Sequence, residues 1–397
     1  MPDSRKYQET HPHITFQLNL AAMPPRFWML MGEARSKCDH ISRVPLEPET
    51  SEKLHEVYFA KGIHATTAIE DNTLSEEEVR ERMAGDLELP PSKEYLGREV
   101  DNMLAAYNEV MGAALFGEPL PLSIDSLKHL NKRVLDGLSV DDRTVPGEIR
   151  THSVMVGSYR GAPAEDCAYL LERLCEWVNG IEPAHDNERI PMAFIKATLA
   201  HIYFEWIHPF GDGNGRVGRL IEFAILTNHG IPAPAAHVLT SHYNDTRSQY
   251  YRELQAASSS GGDVTPFLLY AAQGFVDGLL VQIKELHKQQ EALMWRAYVD
   301  RTYEGQARET ASRRRKLALE LGKLDGEWVR REDIPLLDRR LMKEYGSRAD
   351  KTLTRDLNLL AKEGYVVLHG TRWVRAKVEV IKGMRPQSAP AGPADDA

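Results

Sequence analysis

Along most of the chain apolar residues recur every three or four positions, the period of a helix that buries one face. Leu54, Val57, Tyr58 and Ile63 lie on such a helix, which starts near Glu49 and runs to Glu70. Ser75, with Glu78 three residues on, predicts the capped start of the next. Helices follow over about 95–115, 123–137, 166–180 and 190–207. In the last of these Ile195, Leu199, Ile202 and Trp206 fall at i, i+4, i+7 and i+11, one apolar face. Pro209 stops that helix, and the periodicity resumes over 216–228 and again over 264–290. One stretch fits no helix. Residues 149–161, IRTHSVMVGSYRG, are rich in Ser, Thr, Val and Tyr and read as a short β-hairpin or extended flap. Residues 1–48, with Trp28, Met29 and Leu30 near their middle, are expected to form a packing arm.

Past residue 306 the pattern changes. Helices are expected over 310–321, 334–344 and 348–363. The third carries Leu353, Leu357 and Leu360 on one side, with Lys351, Arg355 and Lys362 on the other. Arg348, Lys351 and Arg355 make one basic stripe. YVVLH, a Gly370-Thr371 turn and RWVRAKVEV then read as a two-stranded ribbon. Three helices followed by a β-wing predict a winged helix-turn-helix over 306–385. The remaining 386–397 is a Pro/Ala tail that has no means of burying a core, so it is expected to be disordered.

Composition narrows the class. With 42% hydrophobic and 27% charged residues, the 397-residue chain is neither wholly disordered nor fibrous. No uninterrupted apolar run approaches the ~20 residues of a membrane helix, and the opening MPDSRKYQET has no apolar core. Cys38, Cys167 and Cys175 neither pair off nor show metal-ligand spacing. The expectation is a cytoplasmic protein with no membrane partner. A net charge of −9 conceals an asymmetry: +8 over 310–385 against −15 over 1–309. An acidic body joined to a basic C-terminal unit suggests two jobs.

The chemistry sits in His208-Pro209-Phe210-Gly211-Asp212-Gly213-Asn214-Gly215-Arg216-Val217-Gly218-Arg219. Glycines at 211, 213 and 215 let the backbone curl so that successive N–H groups face one concavity, an anion nest. The helix that follows adds its exposed N–H groups and dipole. Arg216 and Arg219, three apart, share a face of its first turn. Such a site suits a polyphosphate. Asp212 is a lone carboxylate among phosphate binders, the usual way to hold Mg²⁺. His208 can be neutral at pH 7 and take a proton from an attacking hydroxyl.

This loop resembles the signature of the Fic family, HxFx(D/E)GNGRxxR, at every specified position, and the likeness extends over most of residues 50–290. It implies a mainly α protein: a Fic-type helical bundle over 49–300 with a small β-hairpin flap, joined to the winged helix-turn-helix. It also implies transfer of AMP from ATP, with Mg²⁺, to a Ser, Thr or Tyr hydroxyl of a target protein or of the chain itself. By that likeness His208 is the general base and Asp212 the Mg²⁺ ligand. Gly213, Asn214, Gly215, Arg216 and Arg219 hold the phosphates, with Asn214 and the loop amides on the α-phosphate, and Phe210 anchors the loop. The flap, through Thr151, Val154, Val156 and Tyr159, pairs with an extended target segment.

Upstream, Thr66-Thr67-Ala68-Ile69-Glu70-Asp71-Asn72 resembles the family's inhibitory motif, (S/T)xxxE(G/N), on a helix over 63–72. In relatives that glutamate pairs with the second motif arginine, here Arg219, and occludes the γ-phosphate. Asp71 departs from the pattern, which wants Gly or Asn there to enter the left-handed region. The implied state is inhibition in cis by Glu70. Alternatives stay open: a DNA-binding regulator with a nucleotide-sensing body, another phosphate-containing donor, or removal of AMP. So do a DNA or a protein partner for the winged helix, and a homodimer.

Overall fold

The structure is a computed structural model that describes residues 5–306, 308–346 and 350–382. The tail expected over 386–397 and the basic position Arg348 lie outside the described residues. The chain folds as two units divided between Ile283 and Lys284, earlier than the break expected near residue 300.

The first unit is mainly helical. Its helices are α1 (Tyr7–Thr10), α2 (Pro25–Arg43), α3 (Pro48–Ala68), α4 (Glu76–Ala84), α5 (Glu94–Leu115) and α6 (Ile124–Val134). After a hairpin of β1 (Met155–Val156) and β2 (Tyr159–Arg160) come α7 (Cys167–Asn179), α8 (Arg189–Ile207) and α9 (Asn214–Asn228). The series continues with α10 (Ala233–Ala236), α11 (Val238–Asp245), α12 (Arg247–Ser259) and α13 (Thr265–Tyr303), whose residues from Lys284 on belong to the second unit. The capping box before α4 forms as expected: Ser75 Oγ accepts from Glu78 N–H, and Glu78 accepts from Ser75 N–H at 2.7 Å.

Two elements differ from the periodicity reading. Helix α8 is buried on every side, not along one face, and it packs against α9 at the centre of the core. Its few polar members, Lys196, Thr198 and His201 among them, are buried with it. Residues 1–48 are no appendage: Tyr7, Ile14, Phe27, Leu30, Met31 and Cys38 belong to the main core. Helix α13 is long and apolar enough to cross a membrane by length and composition alone, yet 56% of that window is buried. Phe267, Leu268, Ala271, Phe275 and Leu279 make it a core helix of this unit.

The second unit holds α14 (Glu309–Gly322), β3 (Val329–Arg330), α15 (Arg339–Tyr345), α16 (Asp350–Lys362), β4 (Val366–His369) and β5 (Trp373–Ala376). The strands form one antiparallel sheet in the order β3-β5-β4, with Val374 between Val329 and Leu368. β3 is two residues long, too short to show alternation, so the periodicity gave only a two-stranded ribbon. Its core gathers Trp295, Val299, Leu317, Leu321, Ile334, Leu341, Leu357, Leu360 and Tyr365. A buried ion pair binds three helices together. Arg313 of α14 donates to Asp356 of α16 at 2.7 Å, and Tyr345 of α15 donates to the same oxygen at 3.0 Å. Helix α15 starts later than position 334 because Asp338 caps it, taking the Arg340 N–H at 2.6 Å, behind a 3₁₀ turn that contains Pro335.

Candidate functional site

The motif loop joins the end of α8 to the start of α9. α8 ends where His208 takes a left-handed backbone (φ 49°, ψ 61°) ahead of Pro209. Gly213 is also left-handed (φ 76°) and forms the N-cap of α9, so the amides of Asn214, Gly215 and Arg216 begin a helix with no intrahelical acceptor. Gly211 and Gly215 serve close approach instead. A Cβ at Gly211 would strike Thr144, and one at Gly215 would strike Glu70 and the Arg219 guanidinium.

Several side chains hold the loop in shape. Asn214 is buried and spans the turn, accepting from the Phe210 N–H and donating to the Phe210 carbonyl, both at 2.9 Å. Its amide, expected on a phosphate, is here occupied as a staple, while Phe210 is sunk in the core. Asn131 of α6 donates to the Asp212 carbonyl at 2.9 Å. The Asp212 carboxylate, 45% exposed, accepts from the Gly213 N–H (2.5 Å) and from Arg216 (3.1 Å). Arg216 is buried and also donates to Glu99 at 3.2 Å. Burial raises the Glu99 carboxyl above its usual range, only partly countered by the Asn72 amide (2.8 Å) and Arg216.

The second arginine is locked. Arg219 is fully buried, donating through Nη2 to Glu70 Oε1 at 2.6 Å and to the Thr66 carbonyl at 3.0 Å. Its Nε donates to Thr66 Oγ1 at 2.9 Å. Thr66 and Glu70, one helical turn apart at the end of α3, therefore clamp one guanidinium together. Burial alone would raise the Glu70 carboxyl; Arg219, Arg216 and the hydrogen bond outweigh it and hold it below the usual range. The departure at Asp71 is accommodated. Asp71 does enter the left-handed region (φ 67°), and its carboxylate reaches Arg247 at 2.9 Å, not a motif arginine. This pair is largely exposed and weak, so Asp71→Gly should change Glu70-dependent inhibition by less than about twofold in the labelling assay described below.

The base is set differently. Burial, with Arg150 nearby, pushes the His208 imidazole down to about 4; the Glu205 backbone, Glu70 and Asp212 partly oppose this. At pH 7 the ring is neutral. Its Nδ1 is buried without a hydrogen bond, 3.7 Å from Glu205 Oε2, which leaves Nε2 as the nitrogen for an incoming proton. Burial holds the Glu205 carboxyl up at about 7, with Arg219 opposing and Glu70 reinforcing.

Arg150 ties the flap to this base. Its guanidinium donates to the carbonyls of His208 (2.7 Å), His152 (2.6 Å), Ala162 (2.5 Å) and Ile207 (3.3 Å). The Arg150 N–H reaches Pro209 O and the Ala162 N–H reaches Ile207 O, so both ends of the flap are pinned beside His208. In the hairpin Met155 pairs Arg160 and Val156 pairs Tyr159. Thr151 and Val156 are exposed and Val154 is half-buried. Tyr159, expected to face a target, turns inward: its hydroxyl donates to the Trp206 carbonyl at 2.9 Å and its ring packs on His11 and His13. It fastens the hairpin. A cleft of about 390 Å³ opens between flap and α12, lined by Val156, Tyr159, Glu205, His208, Tyr251 and Leu254.

Periodicity did not single out Arg150, Asn131, Glu99, Asn72, Glu205 or Tyr251. Arg150 shares the flap segment with a second arginine, Arg160, so charge alone did not distinguish it. As for a metal, no group of three or more His, Cys, Asp or Glu side chains converges among the described residues. Asp212 alone offers a half-exposed hard oxygen beside the nest, which fits Mg²⁺ shared with a nucleotide's phosphates.

The chain carrying this glycine-bent nest, with His208 before it and two buried arginines after it, resembles known proteins in sequence and fold. Residues 121–226 match the model of the Fic/DOC family. Among curated relatives, protein adenylyltransferase fic-1 of Caenorhabditis briggsae is 32% identical over 220 residues, 55% of this chain and 40% of that protein. Protein adenylyltransferase Fic of Drosophila melanogaster is 30% identical over 229 residues, 55% and 40%. The chain thus spans well under half the length of these relatives. Among solved structures, Fic-1 (aa134–508) from C. elegans aligns over 66% of this chain and 73% of that one, with TM-score 0.54 and 26% identity. A Fic family protein from Desulfovibrio desulfuricans G20 covers 92% and 98% with TM-score 0.55, and at 21% identity it speaks to the fold alone.

Proposed function

We propose that this chain is a protein adenylyltransferase that moves AMP from ATP to a Ser, Thr or Tyr hydroxyl of a protein, its own chain included, and that Glu70 restrains it in cis. The observation that carries this is the clamp of Thr66 and Glu70 on Arg219 at the mouth of an anion nest, beside a neutral buried His208. A guanidinium meant only for structure has no need of a nest, and a nest meant only for an anion has no need of a base. The adenylyltransferase names of the relatives support the same reading.

In this mechanism the nest amides and Arg216 and Arg219 hold the triphosphate, and the substrate hydroxyl enters by the flap-side cleft. The hydroxyl oxygen bonds the α-phosphorus as the bond to diphosphate breaks, and the hydroxyl proton passes to His208 Nε2. Asp212 is the residue that would hold Mg²⁺, which would offset phosphate charge. The test is incubation with α-labelled ATP and Mg²⁺. Label retained on protein and dependent on His208 supports the reading; label from γ-position ATP, or none in any variant, overturns it.

The buried base also sets a pH dependence. His208 loses function only when protonated, and its pKa of about 4 lies below the ordinary 6.5. The acid limb of kcat/KM, which reports the free enzyme, should therefore fall well below pH 6. A limb near 6.5 would mean that the base is a solvent-exposed group.

A further inference from the structure

We infer that the outward face of α16 is a docking surface for duplex DNA. Lys351, Thr354, Arg355, Asn358 and Lys362 line one open groove with Leu359, and no acidic side chain joins them. Their spacing puts all five on a single helical stripe. The five are exposed, while Leu357 and Leu360 face the core. The one acid over 351–362, Asp356, is turned inward, where Arg313 and Tyr345 consume its carboxylate. Over 351–362 the face therefore presents cations and amide or hydroxyl groups with no acidic side chain among the described residues that line it. The antiparallel sheet adds an exposed Arg372 in the β4–β5 turn, next to Gly370 at φ 57°.

The chemistry favours DNA over a protein partner. Protein interfaces draw their energy from aromatic and apolar anchors, and this stripe offers only a half-buried Leu359. Arg, Asn and Thr are the side chains that read base edges, and lysines serve phosphates. A single helix fits the major groove of B-form DNA, whereas the deep, narrow groove of duplex RNA does not admit one. The order helix, strand, two helices and two strands is also that of winged helices, which dock in this way.

The test is fluorescence anisotropy of the full chain with a labelled DNA duplex of about 30 base pairs, titrated at about 50 and about 200 mM salt. Lys351, Arg355, Lys362 and Arg372, each neutralising one phosphate, give a log–log salt slope near −3.6, so affinity should fall roughly 150-fold between the two. The double variant Lys351→Ala/Arg355→Ala should weaken binding at low salt by about tenfold or more and flatten the slope by about two. Because both positions are exposed, its melting temperature should match wild type, which separates lost contact from lost fold. Absence of duplex binding at low salt, or binding that ignores both salt and the double variant, overturns the inference and leaves the face to a protein partner. None of these outcomes depends on nucleotidyl transfer.

Discussion

Glu70→Gly should raise ATP affinity and AMP labelling together, each roughly 10- to 100-fold, the range set by a charge-assisted hydrogen bond of about 1.5–3 kcal/mol that phosphate no longer has to displace. The bond in question is Glu70 Oε1 to Arg219 Nη2 at 2.6 Å. A guanidinium paired with a carboxylate presents the same donors that it would present to a phosphate, so the two ligands exclude each other. Removing Glu70 also leaves Arg219 buried with only Thr66 as partner, which destabilises the nucleotide-free protein. The variant should therefore melt lower than wild type without ligand and recover more on adding ATP. Glu70→Gln, which keeps the hydrogen bond and drops the charge, should fall between the two. An unchanged ATP affinity in Glu70→Gly would remove the inhibitory role from this residue, and a rise in affinity without labelling would place the limit elsewhere.

What could be read from residues alone followed from where the physics is local. The capping box at Ser75, the stop at Pro209 and the curl of the glycine loop over 211–215 depend on near neighbours, so spacing reveals them. The pairing of Thr66 and Glu70 with Arg219 joins residues about 150 positions apart; only the family likeness suggested it, and composition carried no trace of it. Asn131, Glu99 and Arg150 act on the loop across still unrelated segments, and each looked like an ordinary surface residue. Burial misled in a particular way at α8, where the apolar stripe through Ile195 and Trp206 suggested an outer helix. The polar residues between those positions, His201 and Glu205, are inside because the active site itself is inside. Polar residues kept for chemistry thus disguise a central helix as an amphipathic one. Asn214 teaches the converse: a motif residue can be fixed by spacing while its amide serves the loop and not the ligand.

Removing the base should have the larger effect. His208→Ala should cut AMP transfer by about 10²–10⁴-fold, the usual contribution of a positioned general base, while ATP binding measured by calorimetry stays near wild type. Affinity is preserved because the nest amides, Arg216 and Arg219 hold the phosphates and none of them bonds the imidazole. The backbone complicates the alanine variant: position 208 sits at φ 49°, which alanine enters reluctantly. His208→Asn is the sharper test, since asparagine tolerates that region and still offers Arg150 its backbone carbonyl. It lacks any group able to take a proton at neutral pH. If the asparagine variant binds ATP normally and is inactive in the Glu70→Gly background too, the loss lies in proton transfer and not in the fold. Activity retained there would leave the α-phosphorus to be attacked without help from the neutral imidazole that the loop presents to its cleft.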